Sequence, residues 1–362
     1  MAQGQGMGLR ILDRYLAGAV IGGTLLTLGV LLPLLGFFLL ANELEQVGVA
    51  GYRLQEALLF MVLSLPRYAY QVFPIATLIG ALLGLGALAN RSELVAMRAA
   101  GVSVGRIAGA GLLGGLLLAA GAMLVGEVVA PPAEQRALEL KRAALSGEVT
   151  QRTDSGFWAV DQGSYINIRE ILSGTSLRDI FIYQADNAAG TLIATHAEGA
   201  RYHGGQWVLE GLSRSRVSMD GVQVERLPNA AWNSLLDPGI LEIVVVDPRI
   251  LPVWGLWKYI RFMTVNAQDA SNYQVIFWGR VLYPLLTLSM VLVAIPVLLG
   301  SARSRGTGVR AFFAVLVGIL YYLVSKTFSY LALLYGLSPL AAALAPPLLF
   351  IGAAILLLRR VG

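Results

Sequence analysis

Cysteine is absent from this 362-residue chain, and histidine occurs only twice. Without thiols there are no disulfides, no thiolate metal sites and no cysteine nucleophile. His196 and His203 stand seven apart, outside metal-ligand spacing, and are expected to be surface or hairpin residues. The sequence contains no G-x-x-x-x-G-K-[ST], so the chain has no P-loop with which to hold nucleotide, and no cofactor is expected in it. No grouping of acid, base and nucleophile suggests an active site, so an enzyme is not expected. Charge is scarce as well. Only 14% of residues are charged and 56% are hydrophobic, where soluble domains hold about 25% and roughly 45–50%. Such a chain cannot cover its own surface in water, which excludes a wholly aqueous protein.

The scarcity is uneven. Residues 127–280 hold 31 of the 49 charges, and the other 208 positions hold 18. A polar domain is therefore inserted between two membrane-embedded parts. Charge-free runs long enough to cross a bilayer as helices occupy 15–42, 68–90, 107–126, 281–302, 311–335 and 339–358. The fifth requires that Lys326 be tolerated. An apolar lead-in at 57–66 is expected to lie at the interface. Ten arginines (10, 14, 91, 98, 106, 303, 305, 310, 359 and 360) fall in 1–14, 91–106, 303–310 and 359–362, against only Asp13 and Glu93. The positive-inside rule then places both termini in the cytoplasm and 127–280 on the exterior or periplasmic side. The net charge of +5 marks a membrane face and is not a nucleic-acid signal. The first span is too long for a cleaved signal peptide and is expected to remain as an anchor.

The polar domain reads as β. Short, partly alternating runs at 157–160, 165–168, 179–183, 191–194, 207–209 and 222–224 are separated by turn signals. Those signals are Asp161-Gln162-Gly163-Ser164, Asp186-Asn187, Gly204-Gly205 and Asp220-Gly221. The spacing predicts a sandwich or jellyroll. A helical connector is expected over 131–146. A polar segment over 252–273 should return to the fourth span. The fold class is thus an α-helical polytopic membrane protein of six transmembrane helices with an inserted all-β domain, a sandwich or jellyroll, on the outer side. The predicted division is 1–130, 131–250 and 251–362.

Four features carry the candidate chemistry. In the segment 91–101, Leu94, Met97, Ala100 and Gly101 share one helical face, and Gly101 suits a C-cap. That short helix suits either the membrane surface or a soluble partner, to which Glu93 would offer a carboxylate. Lys326 stands about 24 Å beyond Arg310 along the fifth span. It either binds an anion or snorkels to the outer interface. Arg67, next to Pro66, anchors its helix or meets an anionic headgroup. Glu127 precedes Pro131-Pro132, with Arg136, Lys141 and Arg142 beyond, and is a candidate for an ion pair at the exit or a substrate contact. Glycines four apart (80 and 84; 101, 105 and 109; 111 and 115) suggest close helix packing.

Several of these pieces resemble the LptF/LptG family of lipopolysaccharide-exporter permeases. They are Gly80-Ala81-Leu82-Leu83-Gly84-Leu85-Gly86, Arg91-Ser92-Glu93-Leu94-Val95, Gly126-Glu127-Val128-Val129-Ala130-Pro131, Phe277-Trp278, Arg303-Ser304 and Gly308-Val309-Arg310. The start Leu12-Asp13-Arg14-Tyr15 and the last two pieces are more similar to the LptG branch than to LptF. The resemblance implies six spans with a periplasmic jellyroll between the third and fourth. It implies assembly with LptF and two copies of the ATPase LptB, which would bind ATP and magnesium. It further suggests LptC and the bridge protein LptA as jellyroll partners. By resemblance, the coupling helix falls on 91–101, with Glu93, Leu94, Met97, Arg98 and Gly101, and its acidic ATPase contact on Glu93. Substrate contacts fall on Arg67, Arg136 and Lys141. Where the family often carries lysines along the outer first span, this chain has Leu39, Glu43, Glu45 and Gln46; Lys326 is the candidate replacement. The rival readings are a sister LptF-type permease, an ABC permease for another lipidic cargo such as lipoprotein, and a non-transport membrane scaffold with a β binding module.

Overall fold

A computed structural model describes residues 5–49, 51–146, 151–161, 163–173, 175–186, 191–203, 205–218, 221–232, 250–266, 268–299 and 307–361. The chain divides into two compact units, 1–141 with 274–362 and 142–273. By this partition residues 250–273 belong to the unit that holds the sheet.

The first unit is helical: α1 (Gln5–Leu44), α2 (Leu54–Asn90), α3 (Glu93–Ala99), α4 (Val104–Leu124), a π-turn (Val125–Val129), α5 (Ala130–Ser146), α7 (Ser271–Val281), α8 (Tyr283–Leu299), α9 (Thr307–Tyr335) and α10 (Pro339–Val361). Among the described residues, five helices are long and apolar enough to cross a membrane, counting α4 to α5 as one. The pair α7 and α8, bent by 54°, makes a sixth if counted as one span. The 57–66 lead-in is not a separate helix. It is continuous with α2, which runs through Pro66 and Pro74. At 1.5 Å per residue α2 is about 55 Å long and overshoots a hydrocarbon core of about 30 Å.

Close packing holds these helices. A Cβ on Gly80 would overlap the backbone of Gly23 and Thr24, and one on Gly84 would overlap Ala19, so α1 and α2 touch backbone to backbone. Gly111 and Gly115 face Val291 on α8, and Gly114 meets the backbone of Ala17. Gly105 and Gly109 face open space, so the spacing of glycines marked contacts at only some of its positions. Leu16, Val20, Leu78, Leu85, Ile107, Met290 and Ile295 are among the core side chains.

Among the described residues, the second unit holds a six-stranded antiparallel sheet, β1 (Gln151–Asp161), β2 (Ser164–Ser173), β3 (Ser176–Asp186), β4 (Thr191–His203), β5 (Gln206–Ser218) and β6 (Gly221–Trp232). Each strand pairs with its sequence neighbours, so the described strands form a meander without crossovers. Every run read from the sequence lies inside one of these strands. The strands are longer than the runs because their polar positions alternate outward. Gly163, Gly205 and Gly221 adopt positive φ at three of the connections. Gln162, Asn187, Gly204 and Asp220 lie outside the described residues. Apolar rows cross the sheet on one face. Ile168 pairs with Ile180, Ile180 with Ala197, Ala197 with Leu212 and Leu212 with Leu227. Helix α6 (Val253–Val265) joins this core through Phe262 and Met263.

Candidate functional site

Charged side chains gather at the two ends of the helical unit. At one end, α3 is seated by Leu94, which is buried in the main core, and by Met97 packed against it. The helix closes in a Schellman turn. Val102 N–H donates to the Met97 carbonyl and Gly101 N–H to that of Arg98, with Gly101 at φ 89°. Leu94 and Met97 therefore face inward to hold the helix. Its outer surface shows Val95, Ala96, Arg98 and Ala99. The Tyr15 hydroxyl of α1 donates to Glu93 Oε2 at 2.6 Å, and Asp13 pairs with Arg106 at 3.6 Å. Helix α1 thus grips both flanks of α3. Beside it, Arg98, Val102, Gly105, Ile355, Leu358 and Arg359 line an open cleft of about 520 Å³. Arg310 is buried on α9, and its Nη1 donates to the Gly86 carbonyl at 3.1 Å, close to the end of α2. Arg303, Ser304 and Arg305 lie outside the described residues.

The other end is built around the α4–α5 junction. Pro131 and Pro132 lack N–H groups and crowd the carbonyls four residues back, so the helix cannot stay α-helical there. It opens into the π-turn, in which Ala130 N–H reaches the Val125 carbonyl. Gly126 is required because any Cβ would strike the Tyr70 ring. Glu127, in the same turn, pairs with Arg280 of α7 at 3.3 Å, with side chains 16% and 13% exposed. This partner is 153 residues away, so the basic residues just downstream gave no hint of it. Tyr70 and Tyr283 stack with centroids 4.1 Å apart, and the Tyr283 hydroxyl donates to the Tyr70 carbonyl.

Beyond the turn, Ala130, Glu134, Ala137 and Lys141 follow the i, i+4, i+7, i+11 face of α5, which is its buried face. Arg67 of α2 pairs with Glu134, whose other carboxylate oxygen is buried without a partner among the described residues. Lys141 pairs with Glu43 at 2.8 Å and lies 4.9 Å over the Phe60 ring. The Tyr52 hydroxyl donates to the other oxygen of Glu43 at 2.9 Å. Burial, and then that bond to a carboxylate, pushes the Tyr52 hydroxyl well above its usual pKa. Arg67 lies about 34 Å from Asn90, and Glu127 the same distance from Val104. Both therefore sit one membrane thickness from the α3 end.

Arg136 is exposed, with no ion pair among the described residues. Lys326 is also exposed, and its ammonium lies 5.7 Å over the ring of Tyr322, one turn back toward the start of α9. The structure brings Arg67, Lys141 and Glu127 into intramolecular pairs and leaves Arg136 and Lys326 without an ion pair among the described residues. Glu43, Glu134, Arg280, Tyr15 and Arg310 were missed in the sequence. The seven-residue spacing of Glu134 and Lys141 on an Ala-lined face was a signal for the first two.

Comparison with known proteins decides which class of transporter this is. Residues 14–360 match the family described as lipopolysaccharide export system permease LptF/LptG. The chain belongs to the LptF/LptG permease family. It is 32% identical over 345 residues to the lipopolysaccharide export system permease protein LptG of Haemophilus influenzae, covering 95% of this chain and 96% of the relative. It is 31% identical over 353 residues to the LptG protein of Escherichia coli K12, covering 97% and 98%. An LptF/LptG permease is a transporter component and not an enzyme, and this one is a multi-pass membrane protein with an inserted β domain.

Proposed function

We propose that the chain is the LptG-type subunit of an ATP-driven exporter that extracts lipopolysaccharide from the bacterial inner membrane and passes it to a periplasmic bridge. The observation that carries this reading is the near full-length similarity to two proteins named LptG. In this reading both termini are cytoplasmic and the sheet unit is periplasmic, with LptF as the sister permease. Two LptB subunits bind ATP and magnesium, while LptC and LptA meet the sheet domain.

The outer face of α3 is the docking surface for the ATPase. Leu94, Met97 and the Gly101 turn fix its angle, Arg98 borders the adjoining cleft, and Glu93 exchanges the Tyr15 hydroxyl for a partner arginine. ATP-driven closure then pushes on α3, and Arg310 carries the displacement from α2 to α9. Lipopolysaccharide enters a cavity between the two permeases, where acyl chains lie on apolar helix faces. Lipid phosphates meet Arg136 and Lys326 first. Arg67 and Lys141 follow by trading Glu134 and Glu43 for phosphate oxygens, and Glu127 with Arg280 holds the exit at the π-turn. The expelled lipid moves onto the apolar face of the sheet, and an open sheet edge extends the bridge by β-augmentation.

Purification of the chain from its native membrane tests this. The expected result is one sister permease, two ATPase subunits and lipopolysaccharide as the bound lipid by mass spectrometry. Copurified lipoprotein, or no ATPase at all, would overturn it.

A further inference from the structure

Helix α6 has two faces of different chemistry. Tyr259, Phe262 and Met263 point into or against the sheet core, and Leu256 is fully buried. Around the opposite side run Trp254, Trp257, Lys258, Arg261 and Val265, spaced so that all fall within about a third of the helix circumference. Trp254 is 61% exposed, Trp257 51% and Val265 65%. The Lys258 ammonium lies 5.5 Å over the Trp254 ring and the Arg261 guanidinium 5.7 Å over that of Trp257. Neither cation has an ion-pair partner among the described residues, and no Asp or Glu occurs between Ile250 and Gln268.

We infer that this face of α6 lies in the membrane interface and binds anionic phospholipid headgroups. Two tryptophans and an exposed valine beside unpaired cations are a costly face to show to water. In the headgroup region the indoles sit at the polar boundary and the two cations meet lipid phosphates. Connectivity places a membrane within reach. Five residues separate Val265 from α7, so about 20 Å of chain at most joins this face to the bent span. The inference needs only that the protein is membrane-embedded, and it stands or falls separately from the identity of the cargo.

The absence of cysteine makes the test clean, because Val265→Cys creates a unique labelling site. The full chain carrying a spin label there is placed in nanodiscs of phosphatidylethanolamine and phosphatidylglycerol without lipopolysaccharide. Val224→Cys, on the exposed β6, serves as the aqueous reference. Collision with oxygen is expected to rise and collision with a water-soluble nickel complex to fall several-fold relative to the reference. Lys258→Glu with Arg261→Glu should reverse much of that difference. A label as open to nickel as the reference, shielded from both reagents as under a protein partner, or oxygen-accessible only after lipopolysaccharide is added would each overturn the inference. So would an unchanged difference in the charge-reversed variant.

Discussion

At the α3 end of the helical unit, Arg106 and Asp13 are 33% and 29% exposed and 3.6 Å apart, and Tyr15 reaches Glu93 through an exposed hydrogen bond. At the α5 end, Glu43 and Glu134 are 7% and 4% exposed, and each is held against a base. Exposed pairs contribute about 0–1 kcal/mol and exchange partners freely. Breaking a buried pair costs about 3–5 kcal/mol because one charge stays behind. One chain thus uses the same residue types in two ways. The α3 end keeps its charges exposed, as the proposed docking of a partner ATPase there requires. At the α5 end the charges fix where α5 lies against α1 and α2, and an anion that meets Arg67 or Lys141 must take over an existing bond.

Substitutions at each end sharpen this contrast. Packing sets its upper limit. Gly80→Val drives a side chain into the α1 backbone, at a cost of about 3 kcal/mol or more. Little folded protein should survive detergent extraction, as size-exclusion chromatography would show. Next comes Lys141→Ala, which leaves Glu43 buried and should destabilise by about 3 kcal/mol, read as a lowered Tm. Lys141→Met should recover part of that loss by filling the space over Phe60. A smaller effect is expected for Arg106→Ala, within about 1 kcal/mol, because its pair with Asp13 is partly solvated. If Arg106→Ala matched Lys141→Ala in Tm, the contrast between the ends would fail.

The sequence made the fold legible where the signal was compositional or local. Charge-free runs located the spans, and turn glycines separated the strands. Gly101 announced the end of α3 because only a residue tolerant of positive φ closes a Schellman turn cheaply. Candidate site residues were legible as unusual charges, since Arg67, Glu127 and Lys326 all break the expected charge pattern of a span. Their partners were not. Glu127 meets Arg280 and Arg310 meets Gly86 across separations of 153 and 224 residues, set by helix packing that no local pattern encodes. The inward turn of Leu94 and Met97 was equally hidden, because an apolar helical face looks the same whether it covers its own core or a partner's. The return segment was read as polar from its cations, while its apolar positions at helical spacing supplied the face that α6 buries on the sheet.

The central claim is that the outer face of α3 converts ATP hydrolysis by a partner into lipid export. Glu93→Arg tests it most directly, in the complex reconstituted with its ATPase and lipopolysaccharide. Reversing this charge sets it against a partner arginine while leaving Leu94 and Met97 to seat the helix. ATP-dependent release of lipopolysaccharide is expected to fall at least tenfold, with the variant's Tm within a few degrees of the native chain. Release at the native rate, with the ATPase bound as before, would contradict the account.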